Sequence, residues 1–171
     1  MKTKFFPLLL FIIISILGVL LHFTFDWSGQ NRIVGYFSAV NESTWEHLKL
    51  LFFPMLLVTI CQCFFSKDYG TLLRLRAISI PCGMFFIAAV FYIVWGITGQ
   101  LIDWVNIGIY FLGVAFALFL EQRLKSNRLI INLSSAIFIL IGITLLFFLF
   151  TYHAPNLGIF YNLEFHPKTL P

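Results

Sequence analysis

Charge is what this chain lacks most. Only 11% of its 171 residues are Asp, Glu, Lys or Arg, while 60% are hydrophobic. A soluble domain carries about a quarter charged residues, so the composition excludes an ordinary water-soluble fold and points to the membrane class. The basic residues come in short clusters between apolar runs. None is long enough to follow a phosphate backbone, so the net charge of +4 is no sign of nucleic-acid binding. Cysteine is scarce too: Cys61, Cys63 and Cys82 all fall within apolar runs. Cys61 and Cys63, two apart on a helix, point to different sides, and ordinary buried thiols are expected rather than a metal site. There is no internal repeat, no low-complexity tract and no His-Glu-x-x-His spacing.

What the chain has instead is long apolar runs, rich in its 22 phenylalanines. A hydrocarbon core about 30 Å thick needs about 20 apolar residues in a helix. Five stretches qualify, at about 5–23, 44–65, 77–98, 101–120 and 129–152. The fold class expected is therefore all-α: a polytopic membrane helix bundle of five spans forming one domain over residues 1–171. The first run follows Lys2 and Lys4 but is too long for a signal-peptide core and lacks a small-x-small cleavage site, so it reads as an uncleaved span. Pro54 should kink the second span and free a backbone carbonyl one turn earlier. Between the first two spans, residues 24–43 form a polar connection in which Ile33, Val34, Phe37 and Val40 recur at the spacing of a short interfacial helix. The tail, 153–171, holds three of the six prolines and reads as an irregular surface segment.

Lys2, Lys4, Lys67, Arg74, Arg76, Arg123, Lys125 and Arg128 fall on one side of a five-span arrangement, and Arg32, Lys49 and Lys168 on the other. Short basic loops stay cytoplasmic. The amino terminus is thus expected inside and the carboxyl terminus outside, with Arg74 and Arg76 setting topology at anionic headgroups. All four histidines then face outward.

The outer side owns the most polar run, Ser38 to Lys49. Ser43 and Glu46 have capping-box spacing, Glu46 and Lys49 are three apart and can pair, and Trp45 suits an interfacial anchor. Each of these is a sufficient structural explanation. Yet His22, His47 and His153 lie at the outer ends of three different spans, Glu42 stands beside His47, and Asp103 begins the fourth span. If the bundle closes, His22, His47 and His153 could bind a metal such as zinc, with Glu42 or Glu46 beside His47 as general base. Asp26, Asn41, Ser43, Lys49 and Asp103 would support that polar site. Glu164 and His166 read as solvated tail residues.

Two motifs carry a resemblance. The stretch His22-x-x-x-Asp26-Trp27-Ser28-Gly29, followed by Val40-Asn41-Glu42-Ser43-Thr44-Trp45-Glu46-His47-Leu48-Lys49 and on to Pro54, resembles a family of small bacterial integral membrane proteins classed only as a domain of unknown function. Tyr152-His153-Ala154-Pro155 with Gly158-Ile159-Phe160-Tyr161 is similar to its closing motif. The resemblance implies a bacterial cytoplasmic membrane and no activity. Three functional readings stay open: an outward site for a small ligand or partner, a membrane-embedded metal-dependent hydrolase or transferase acting on a lipid or lipid-linked substrate, and an accessory subunit without a site. The bilayer is the one partner expected with any of them; a protein partner or a second copy is compatible with the last.

Overall fold

The computed structural model of the protein describes residues 5–125 and 131–163. Lys2, Lys4, Arg128, Glu164, His166 and Lys168 lie outside the described residues. Among the described residues the chain forms six α-helices and no strand: α1 (Phe6–Trp27), the single turn α2 (Arg32–Gly35), α3 (Thr44–Phe65), α4 (Tyr69–Thr98), α5 (Asp103–Leu124) and α6 (Leu133–Tyr152), then a 3₁₀ turn at Gly158–Phe160. The five long helices are long and apolar enough to cross a membrane. The shortest, at 20 residues, spans about 30 Å at 1.5 Å per residue.

Local chemistry sets where the helices start and stop. Pro7 occupies the first turn of α1, where its missing N–H costs nothing. Ser43 Oγ caps α3 by accepting from the Glu46 N–H, and Asn132 Oδ1 caps α6 by accepting from the Ser135 N–H at 2.8 Å. Asp68 does the same for α4 through the Thr71 N–H at 3.2 Å. That cap starts α4 at Tyr69, just over two turns before the position expected near Ala77, and draws Arg74 and Arg76 into the helix. At its other end α4 stops at Gly99, whose φ of +64° is a conformation glycine adopts without strain.

Helix α3 runs through the middle, touching α1, α4 and α5, while α4 packs on α3, α5 and α6. Leu51, Phe52 and Met55 of α3 meet Ile80 of α4, Val114 and Ala117 of α5 and Phe147 of α6 in a fully buried core. Small residues allow close approach: a Cβ on Gly83 would stand 2.9 Å from the Ala117 Cβ, and one on Gly113 2.2 Å from Ile87. Leu8, Ile12 and Ile16 of α1, Phe85 and Ile93 of α4, Leu112 and Phe119 of α5, and Phe138 and Leu145 of α6 point out of the bundle. Hydrocarbon suits such a surface, and water does not.

Several expectations are corrected. Arg76 does not reach headgroups: it is fully buried, its Nη2 3.2 Å from Glu121 Oε2 and donating to Gln62 Oε1 at 3.1 Å. Lys125 approaches the other Glu121 oxygen at 3.2 Å. Trp45 is not a free interfacial anchor, since Phe147, Phe150 and Phe160 surround it with ring centroids 4.7, 5.7 and 5.0 Å away. Through Phe160 the tail folds back over the end of the bundle, and Leu163 is buried there. Cys61 is exposed on the outside of α3 rather than buried, with Cys63 and Cys82 half-buried.

Candidate functional site

The up-and-down path brings the end of α1, the start of α3, the end of α4, the start of α5 and the end of α6 to one end of the bundle. Residues 28–43 cross that end, held by three anchors. Ser38 Oγ donates to the Leu21 carbonyl of α1 and accepts from the Phe25 N–H at 3.0 Å. The hydroxyl of Tyr152 donates to the Arg32 carbonyl at 2.8 Å. From α3, the buried Lys49 ammonium donates to the Gly35 carbonyl at 2.9 Å, the Ser38 carbonyl at 3.2 Å and Glu46 Oε2 at 2.6 Å. The same carboxylate oxygen accepts from the Val40 N–H at 3.0 Å.

Glu46 therefore does not complete the reciprocal half of a capping box, because its carboxylate goes to Val40 and Lys49. The Ser43 N–H finds Asn41 Oδ1 instead, at 2.9 Å. Glu46 and Lys49, Asn41 and Ser43 all act as architecture: they fix the loop that ends in Glu42.

Glu42 is half-buried and lies between two imidazoles. His47 Nε2 is 3.2 Å from its Oε2, and His22 Nε2 is 3.9 Å from its Oε1. The two rings are 5.3 Å apart, centroid to centroid. The His47 side chain, hydrogen-bonded to Glu42, holds that carboxyl below the usual carboxylate range, against an opposing push from burial. The other nitrogen of His47, Nδ1, is 2.9 Å from the Ser43 carbonyl one turn back. A carbonyl only accepts, so Nδ1 carries a proton. His22 Nδ1 is buried with no hydrogen-bond partner among the described residues.

These groups line one wall of a cavity of about 560 Å³ between α1, α3, α4 and α5. His22, Glu42, Thr44 and His47 are on the near side, and Asp103 and Asn106 come from the first turn of α5. Deeper, the lining turns apolar with Leu50, Ile87, Phe91, Ile109 and Phe111. Tyr110 lies among them, its hydroxyl within 3.2–3.4 Å of the Ile14, Ser15 and Leu50 carbonyls. Leu50 is four residues before Pro54, so its carbonyl is the one that proline deprives of a helical N–H. Tyr110 offers a replacement donor. Gly18 makes room for it, since a Cβ there would stand 1.9 Å from the Tyr110 hydroxyl oxygen.

A family model matches residues 2–164. The chain belongs to a family of unknown function, DUF6512. No curated protein and no solved structure matches it.

In this DUF6512 member, the residues singled out from the sequence divide into two sets. His22, Glu42 and His47 come together, with Asp103 on the same cavity. His153 does not join them; it is exposed at the end of α6, and among the described residues the cluster of metal-capable side chains is His22, Glu42 and His47. Asp26 is exposed at the end of α1, off the cavity wall. Tyr110, Thr44, Gly18 and the Arg76–Glu121 pair escaped the sequence reading. Only Tyr110 had left a signal there: Pro54 announces an orphan carbonyl and so a donor to serve it.

Proposed function

We propose that this protein is a multi-pass membrane protein that holds an amphiphilic ligand, its polar end at His22, Glu42 and His47 and its apolar part in the cavity below. The observation that carries this reading is the mixed lining of one cavity, with two imidazoles and a carboxylate at the loop end and Leu50, Ile87, Phe91 and Phe111 supplied by α3, α4 and α5. Its volume of about 560 Å³ lies within the roughly 300–1,000 Å³ of small-molecule sites. A polar mouth over an apolar floor selects for a molecule with the same two halves. The clustering of Lys67, Arg74, Arg123 and Lys125 at the opposite end supports an outward-facing site in a bacterial cytoplasmic membrane, amino terminus inside. A lipid-directed hydrolase or transferase is the second reading, favoured by the Glu42–His47 hydrogen bond facing the cavity; Glu46, committed to Lys49 and Val40, has no part in it.

The test is mass spectrometry of lipids retained by the detergent-purified protein, wild type beside Val19→Trp. Val19 lines the cavity and is part-exposed at its edge, so an indole there fills the space without entering the core. A retained amphiphile in the wild type, depleted in Val19→Trp, is expected. Identical lipid profiles in the two proteins would defeat the reading.

A further inference from the structure

We propose that His22, Glu42 and His47 bind a divalent transition-metal ion of the zinc class, with its remaining coordination position open to the cavity. Metal binding here stands apart from the ligand reading: it needs three side chains and no amphiphile.

One potential donor atom from each residue lies within 4.8 Å of the others. Ligand atoms about 2.0–2.1 Å from a tetrahedral zinc stand roughly 3.3 Å apart. Glu42 meets His47 through Oε2 at 3.2 Å and His22 through Oε1 at 3.9 Å, distances on that scale, and binding would draw one atom of each residue inward from within 4.8 Å to that edge. Two imidazoles and a carboxylate form a set that zinc and its neighbours in the first transition row accept.

The geometry of His47 suits a ligand as well. Its Nδ1 is directed at the Ser43 carbonyl, which leaves Nε2, 3.2 Å from a carboxylate oxygen, to share a positive charge with Glu42: the proton of their hydrogen bond, or a metal ion that takes that proton's place. A histidine fixed by a backbone carbonyl through its other nitrogen is the usual outer-shell arrangement of a metal ligand. Lys49, the nearest lysine in sequence, cannot supply the charge, because its ammonium is engaged by Gly35, Ser38 and Glu46. His22 faces Glu42 through Nε2 too, while its Nδ1 is buried with no hydrogen-bond partner among the described residues.

Three protein ligands beside a cavity is the pattern of sites that keep a position for water or a ligand, where structural zinc sites close with four. Glu42 thus takes the place that the sequence had offered to His153. The polar end of a cavity ligand would meet the ion directly.

The experiment uses the full-length protein in detergent, stripped with a chelator, then titrated with Zn²⁺ and separately with Co²⁺, whose visible d–d absorption reports coordination geometry. Wild type should take up about one equivalent, with a tetrahedral or five-coordinate cobalt spectrum. His22→Ala and Glu42→Gln should each weaken binding by at least about 100-fold, the upper end of what loss of a mere outer-shell partner costs. His153→Ala should bind as the wild type does. Glu42→Gln keeps the shape of the side chain, and unchanged metal-free thermal unfolding shows that it still folds. Weak uptake at several equivalents, insensitive to Glu42→Gln, would overturn the site, and so would an equal loss in His153→Ala. Lipid retention measured on the same metal-free samples separates the two readings: a protein that keeps its amphiphile and binds no metal refutes this inference alone.

Discussion

Lys49→Met tests whether a buried ion pair holds the loop that delivers Glu42. The Lys49 side chain is 0% exposed and that of Glu46 2%, and the ammonium makes three hydrogen bonds, two of them to loop carbonyls. Methionine keeps the length and apolar stem but strands the Glu46 carboxylate. Breaking a buried pair from one side costs about 3–5 kcal/mol. The Gly35 and Ser38 carbonyls would each lose a donor, at about 1–3 kcal/mol apiece if they stay dry. These contributions share one site and do not add; the loop can lift and admit water, which relieves the carbonyls first. The expected loss is therefore about 3–5 kcal/mol, set by the carboxylate. Glu46→Gln added to Lys49→Met should return more than half of it, because a neutral amide oxygen can still accept from the Val40 N–H. The assay is SDS-titrated unfolding in mixed micelles, with trypsin cleavage after Arg32 as the local probe, since that residue is exposed on the loop. Lys49→Met should speed cleavage at Arg32 well before global unfolding. A loss under about 1 kcal/mol, below the range for a neutral hydrogen bond to a charge, with Arg32 still protected, would refute the reasoning.

Two other perturbations probe the packing. Gly18→Ala places a methyl 1.9 Å from the Tyr110 hydroxyl oxygen and 2.5 Å from the Leu50 carbonyl, so it should destabilise the bundle by about 1–3 kcal/mol as an overpacked contact. Tyr110→Phe should recover part of that in a double-mutant cycle read by the same SDS titration, and strict additivity would show that the two residues do not meet. Arg76→Met should cost about 3–5 kcal/mol by leaving Glu121, among the described residues, with the part-exposed Lys125, whereas Arg76→Met with Glu121→Gln should lie much closer to wild type; equal stability of the single and double variants would argue against the buried pair.

What the sequence made legible follows the range of the forces involved. The five spans follow from length and hydropathy, and the start of α3 from a cap that acts over three residues. The Glu46–Lys49 pair follows from helical spacing. Arg76 misled because a charge two residues from another reads as a loop. Its partner, Glu121, lies 45 positions away on α5, and nothing local to α4 reveals it. His153 misled in the same way. Being at the end of a span fixes depth but not azimuth, and the packing of α6 on α4 rather than on α1 decides that this histidine stays off the cavity. Glu42 was visible only as a neighbour of His47, and its place between the two imidazoles comes from the loop anchors at Ser38 and Lys49.

The first turn of α3 shows why adjacent residues there do unlike work. Successive helical positions turn by about 100°, so Glu46 and His47 cannot share a face, while Glu46 and Lys49, three apart, nearly do. Glu46 therefore turns inward with Lys49 and fixes the loop, and His47 turns to the cavity. Glu42, just before the cap, is delivered to His47 by the loop that the first pair secures. A structural ion pair and a candidate metal site thus share one turn of helix, and they fail in order. Loss of Lys49 should loosen Glu42 and weaken metal binding without touching a ligand, whereas loss of His47 should abolish metal binding and leave Arg32 protected from trypsin. If His47→Ala exposes Arg32 as Lys49→Met does, the two halves of the turn are one mechanical unit and the division of labour drawn here is wrong.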